Sequence, residues 1–374
     1  MKTEKFIYPG FKAKVGVSSM KRVLAIVAVA VLIALLQAGG AIAGDISAKA
    51  AVVIDGATGN ILYAKNPNVK LFPASTTKLV TAMVVLDRLD PETVVTVSQE
   101  AANTPSVSPH LRIGEKLKVK DLLNIALIRS VNSAAVALAE AVSGSEETFT
   151  KLMNEKAHKL GAENTHYVNA SGLPGDGQYI TAFDLSVIMK GAMGYPMIKE
   201  IINTRSQQIY TEGGRKIFVR NTNHLLWTDE DVVGGKTGYT RAAKHCFVCA
   251  GQKGDRMLVA AVLGESVRNE LWHDASTLLA RGDDVLNKKR EPEIYYTSVS
   301  NSPIVYASQK VKKKQRLEKI RASKAAKGGK SAKNKSITKK KAGTKKNALT
   351  KKKSKKKRGG AVNAENRAAA QGTS

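Results

Sequence analysis

Ser75 and Lys78, in the order Ser75-Thr76-Thr77-Lys78, have the types and spacing that nucleophilic chemistry requires. A serine hydroxyl is a poor nucleophile until a base takes its proton, and a lysine serves as that base only where desolvation lowers its pKa. Residues three apart share a helix face. After Lys78 the apolar positions Leu79, Ala82, Met83, Val85, Leu86 and Leu89 recur with the helical period and leave little polar surface, so the pattern predicts a buried helix that begins at this pair. The S-x-x-K spacing alone is weak, because it also occurs at Ser18, Ser336 and Ser354. Taken by itself, Ser75 could simply cap a helix while Lys78 points at water. Two further clusters follow in order: Ser130-Val131-Asn132 between helical segments, and Lys236-Thr237-Gly238 at the head of a strand.

Other elements must bring these clusters together. Residues 51–55 and 61–65 read as short strands joined by a Gly-rich turn at 56–60, a hairpin immediately ahead of Ser75. Residues 98–200 read as mostly helical, with segments at 117–128, 132–142, 146–160 and 182–192; Thr181 and Asp184 have capping-box spacing. From about Gln207 the pattern returns to strands, with a second hairpin at 245–250 and 256–263, and an amphipathic helix closes at 269–286. Strands, a helical block, strands and a closing helix predict an α+β fold in which the first and last strands share one sheet.

At these three clusters the chain resembles the low-molecular-mass penicillin-binding proteins, the serine-type D-alanyl-D-alanine carboxypeptidases, whose motifs are S-x-x-K, S-x-N and K-T-G in that order. Flanking matches at 53–55, 62–66, 73–78, 114–115, 121–123, 154–157, 164–166, 221–223 and 235–238 extend the likeness over roughly residues 45–288. The resemblance implies a β-lactamase/transpeptidase-like fold: an antiparallel sheet flanked by helices, plus a helical subdomain. It implies removal of the terminal D-alanine from peptidoglycan stem pentapeptides, covalent binding of β-lactams, and no metal or other cofactor. Ser75 is then the nucleophile and Lys78 its base. Ser130 relays a proton between Lys236 and the leaving nitrogen, and Asn132 holds the substrate amide and orients Lys78. Lys236 and Thr237 meet the free carboxylate, Gly238 lets the substrate strand lie close, and the N–H groups of Ser75 and Tyr239 form the oxyanion hole. Arg268 lies near the family's basic residue beside the carboxylate pocket. Ser133 departs from the pattern, standing where many relatives carry Asp.

The same fold also serves D,D-endopeptidases, which cut cross-links, and β-lactamases; no Glu is placed convincingly to activate a deacylating water, which argues against the latter. A non-catalytic wall-binding protein is opposed by the intact motifs. Gly235-Lys236-Thr237 is no phosphate loop, since Glu230 stands where that motif needs glycine and a strand follows instead of a helix. There is no G-x-S-x-G, His245 reads as a strand residue, and His110, His166 and His224 lack metal-ligand spacing. Cys246 and Cys249 lie three apart in a strand, on opposite faces, and read as small core residues.

The chain has 374 residues, of which 43% are hydrophobic, and a formal charge of +29. Charge is concentrated: residues 311–358 hold 23 Lys and Arg against Glu318 alone, so the globular part is only mildly basic. Lys21 and Arg22 precede an apolar run, Val23 to Leu36, and an A-x-A site at 41–43, which predicts a secretory signal within an N-terminal segment of 1–44, starting at Met1 or Met20. Export makes nucleic acid an unexpected partner for the basic run and points to an anionic membrane or wall surface. Residues 289–374 are expected to be a linker and a disordered Lys-rich tail.

Overall fold

The computed structural model describes residues 46–297. The signal, its start site and the basic tail lie outside the described residues. Six strands form the main sheet: β1 (Ala50–Asp55), β2 (Ile61–Lys65), β7 (Val232–Thr240), β8 (Lys244–Lys253), β9 (Arg256–Glu265) and β10 (Glu293–Tyr295), in the order β10-β2-β1-β9-β8-β7. All neighbours are antiparallel except β10 and β2. First and last long strands meet, as expected, at β1 and β9.

Side chains alternate across a strand, and here the alternation feeds two cores. Ala50, Val52 and Ile54 of β1 point into one apolar cluster with Val259, Ala261 and Leu263 of β9, while Ala51 and Val53 point into another with Leu258, Ala260 and Val262. Near-continuous apolar strands are therefore central strands covered on both faces. One cover is α9 (Arg268–Leu286), which lays Leu271, Ala275, Leu278 and Leu279 on the second cluster. The other is the helical block: α1 (Lys78–Leu86), α2 (Gln99–Asn103), α3 (Val119–Ile128), α4 (Asn132–Ser143), α5 (Glu146–Lys159), α6 (Ala182–Ala192) and α7 (Pro196–Asn203). Every residue of α1 but Leu86 is buried, including Lys78 and Thr81 amid its apolar residues. Ser145 and Thr181 cap α5 and α6 by accepting from the N–H groups of Thr148 and Asp184.

Two ribbons stand apart from the main sheet: β3 (Val94–Thr96) with β4 (Lys116–Lys118), and β5 (Ser206–Tyr210) with β6 (Lys216–Arg220). A short α8 (Leu225–Thr228) follows the second. The first ribbon interrupts the stretch read as mostly helical, and its strands are too short to show a period of their own. The described fold also runs past residue 288. Strand β10 adds to the edge of the sheet, and the Tyr295 ring packs edge-on against Tyr63 with centroids 5.6 Å apart. Among the described residues no helix is long and apolar enough to cross a membrane.

Candidate active site

Ser75 sits on a 3₁₀ turn, Ala74–Thr77, that runs directly into α1. Thr76 Oγ1 donates to Pro73 O and Thr77 Oγ1 to Ala74 O, both at 2.8 Å, so the two threonines between Ser75 and Lys78 lock the turn. Ala74 holds a positive φ of 48° and Ser130 one of 68°, strained values for residues with side chains. Gly172 explains how the strain at Ala74 is held. A Cβ there would stand 1.8 Å from Ala74 O, so the segment carrying Ser171 is pressed onto the nucleophile's turn.

That segment completes the surroundings of Lys78. Its Nζ lies 2.9 Å from Ser75 Oγ, 2.6 Å from Asn132 Oδ1 and 2.6 Å from Ser171 O. Burial pushes the Lys78 pKa well below its ordinary value; the charge of Lys236 pushes it the same way, and Glu146 opposes weakly. Asn132 opens α4, with its N–H held by Ser106 Oγ at 2.8 Å. Its Nδ2 donates to Pro105 O at 2.7 Å, which turns Oδ1 toward Lys78 and leaves one amide hydrogen for a ligand.

Ser130 lies on the link between α3 and α4. Its Oγ accepts from Lys236 Nζ at 2.8 Å, and the same ammonium donates to Thr237 O at 2.9 Å. Burial brings Lys236 down to about 7. Lys236 is only 1% exposed, so its contact with Ser130 is buried, and Arg129, Ser130, Thr222, Thr237 and Arg268 are among the polar residues that line the cleft. Thr237 Oγ1 is paired at 2.5 Å with Thr222 Oγ1. The flanking Asn221 and Asn223 set Thr222 in place: Asn221 Nδ2 donates to Thr204 O at 2.9 Å, and Asn223 Oδ1 accepts from Leu225 N at 3.0 Å.

Strand β7 is the last of the sheet, paired only with β8, and its free edge passes the Ser75 turn. Gly238 marks the closest approach. A Cβ there would meet Ser75 N at 2.8 Å and Ala74 Cβ at 2.9 Å, so the turn itself, and not only a substrate strand, demands glycine. Tyr239 is exposed, its ring centroid 4.5 Å from that of His245 on β8. Burial and the charge of Arg268 both lower the His245 pKa. Together Ser75, Ser130, Asn132, Thr237, Tyr239 and Arg268 line one cleft of about 480 Å³, within the usual range of ligand sites of about 300–1,000 Å³. All nine candidate residues are thus gathered at one place. Reading the motifs alone missed Ser106, Ser171 and Thr222; only Thr222 carried a signal, inside the Asn221-Thr222-Asn223 match.

The remaining candidates go elsewhere. Cys246 and Cys249 are free and buried, in opposite cores, and burial pushes the Cys246 thiol up to about 12. His166 Nδ1 meets Gly177 O, and His224 lies beside Trp272. Among the described residues no cluster of three or more His, Cys, Asp or Glu is placed to hold a metal ion.

Comparison with known proteins agrees with this arrangement. The chain is 38% identical over 228 residues to a Bacillus subtilis D-alanyl-D-alanine carboxypeptidase, covering 60% of this chain and 59% of that protein's length. It is 35% identical over 219 residues to a Pseudomonas aeruginosa D-alanyl-D-alanine endopeptidase, covering 57% and 69%. The crystal structure of a D-alanyl-D-alanine carboxypeptidase from Mycobacterium tuberculosis superposes with a TM-score of 0.62 at 34% identity, over 66% of this chain and 94% of that one. The family model described as D-alanyl-D-alanine carboxypeptidase matches residues 37–267, most of the described fold and every motif residue, and the chain belongs to that family of peptidases.

Proposed function

We propose that the protein is a serine-type D-alanyl-D-alanine carboxypeptidase that trims the terminal D-alanine from peptidoglycan stem pentapeptides through an acyl-enzyme on Ser75. One observation carries the reading: two serine–lysine pairs, Ser75 with Lys78 and Ser130 with Lys236, face each other across a single cleft. Lys78 takes the proton of Ser75, whose Oγ attacks the carbonyl between the two D-alanines. The N–H groups of Ser75 and Tyr239 receive the developing oxyanion, a contact worth about 3 kcal/mol per donor. Ser130, held by Lys236, passes the proton to the leaving nitrogen, whose neighbouring carboxylate meets Thr237 and Arg268. Asn132 positions the substrate amide with its remaining hydrogen. Substrate backbone pairs with the free edge of β7. Water then hydrolyses the ester, with Lys78 as base again.

Incubation with a D-Ala-D-Ala pentapeptide followed by mass spectrometry tests this. Loss of a single D-alanine and penicillin labelling abolished by Ser75→Ala are expected; an intact pentapeptide and no adduct would overturn it. The endopeptidase reading has support from the relative so named. By sequence, a catalytic unit from residue 45 follows an export signal within 1–44, which places the enzyme in the periplasm or at the cell envelope. The Lys-rich segment then holds it at anionic membrane or wall, each basic residue contributing about 1 kcal/mol at low screening. Partitioning on anionic vesicles and isolated wall across a salt series, with and without residues 310–374, should show the truncated protein released first.

A further inference from the structure

Lys78 donates to a backbone oxygen, that of Ser171, so the segment carrying Ser171 has to be fixed by other residues. Its neighbour Ala170 is buried, and side chains from two helices hold both of its backbone groups. Thr81 Oγ1 of α1 donates to Ala170 O at 2.7 Å, and Ala170 N donates to Glu146 Oε1 of α5 at 2.8 Å. One residue on, Ser171 O accepts from Lys78 Nζ at 2.6 Å and lies 3.4 Å from Ser75 Oγ. Helix α5 grips the same stretch a second time. Asn154, about two turns beyond Glu146, accepts from Tyr167 N at 2.8 Å and donates to Tyr167 O at 2.9 Å.

The choice of a carboxylate at position 146 has a physical basis. Glu146 is the first residue of α5, directly after the capping Ser145, where the helix dipole favours negative charge. Burial raises its pKa and the Ala170 N–H opposes; Glu100 of α2 and Glu140 of α4 add to the rise, and Lys78 counters it. Glu147, Lys151 and His166 border the same cleft as Glu146, which is not the catalytic one. Glu146 therefore reaches the chemistry only through Ala170 and through its field. At Lys78 that field opposes the charge of Lys236.

We propose that Glu146 is a positioning residue for the Ser75–Lys78 pair: its carboxylate anchors the Ala170–Gly172 segment that presents Ser171 O, and its negative charge offsets Lys236 at the Lys78 amine. The inference rests on the reading of Ser75 and Lys78 given above. It divides the role of one side chain into a bond and a charge, and two substitutions separate them. Glu146→Gln keeps an oxygen for the Ala170 N–H and removes the charge; Glu146→Ala removes both.

The test follows acylation of the full chain by labelled penicillin across pH, with the saturating label counting competent sites so that rates are per site. A nearby carboxylate favours the ammonium form of Lys78, so without it the amine gives up its proton at lower pH. The acid limb should therefore move to lower pH in both variants. At the pH optimum Glu146→Ala should acylate about tenfold more slowly, and Glu146→Gln within about twofold of the unaltered chain. An unmoved limb in Glu146→Gln, or full speed in Glu146→Ala, would overturn the inference while normal labelling of the unaltered chain leaves the Ser75 reading standing. No penicillin adduct on the unaltered chain would overturn that reading and this inference with it.

Discussion

The two ends of the catalytic cleft use the same pair of residue types and set them to different tasks. At one end Lys78 is ringed by three oxygens, those of Ser75, Asn132 and Ser171. At the other Lys236 has two, Ser130 Oγ and Thr237 O. Both ammonium groups are desolvated, but Lys78 also feels the positive charge of Lys236. Burial lowers both, and the charge of Lys236 further favours the neutral amine at Lys78, the form able to take a proton, while burial brings Lys236 to about 7. Environment, and not residue type, separates base from cation.

The sharpest way to break the comparison is to delete each amine in turn. Lys78→Met should reduce Ser75 acylation by labelled penicillin by about 10³-fold or more, the scale of a lost general base. Lys236→Met should cost about 10²-fold on the peptide substrate, because a positioned proton donor is loosened while the nucleophile keeps its own base. Equal losses would mean that the pairs are interchangeable and the assignment is wrong.

The pH profile sharpens the same point. Acylation should rise with pH as Lys78 gives up its proton and fall as Lys236 loses its charge above about 7, up to about tenfold per pH unit on either limb. Removing the Lys236 charge removes one cause that lowers Lys78, so in Lys236→Met the acid limb should move to higher pH. A stopped-flow acylation series across pH checks the direction; an unmoved limb would show that the two amines do not sense each other.

How much of this could be read in advance follows from where the information sits. The strands at 51–55 and 61–65, the buried helix after Lys78 and the closing helix announce themselves through local period, and three short motifs mark the chemistry. Long-range partners leave no such trace. Ser171 contributes a backbone oxygen, available from any residue type, and only folding shows that Gly172 presses it onto the Ser75 turn. Ser106 reaches Asn132 across 26 positions of chain. The β3–β4 ribbon is three residues on each side, too short for periodicity, and β10 is recognisable as a strand only because β2 offers it an edge.

A smaller effect separates the cleft's architecture from its chemistry. Gly238→Ala removes no catalytic side chain but inserts a methyl 2.8 Å from Ser75 N. Relief requires the turn or β7 to shift, at about 1–3 kcal/mol of overpacking, so acylation should slow about tenfold with little change in its pH dependence. A displaced pH profile would mean that the methyl disturbs the lysines as well as the turn.

The smallest effect concerns a third serine in the same neighbourhood. Ser133, the residue after Asn132, is 1% exposed, and its Oγ finds no hydrogen-bond partner among the described residues, in contrast to the lysine-bound hydroxyls of Ser75 and Ser130. A buried hydroxyl without a partner carries its desolvation cost uncompensated. Ser133→Ala deletes that group and leaves a methyl in an otherwise apolar stretch of α4. Denaturant midpoints should therefore be unchanged or raised by up to about 1 kcal/mol, with acylation unaltered. A marked loss of either would place the Ser133 hydroxyl in the polar network, and the distinction between serines that have a lysine and the one that does not would fail.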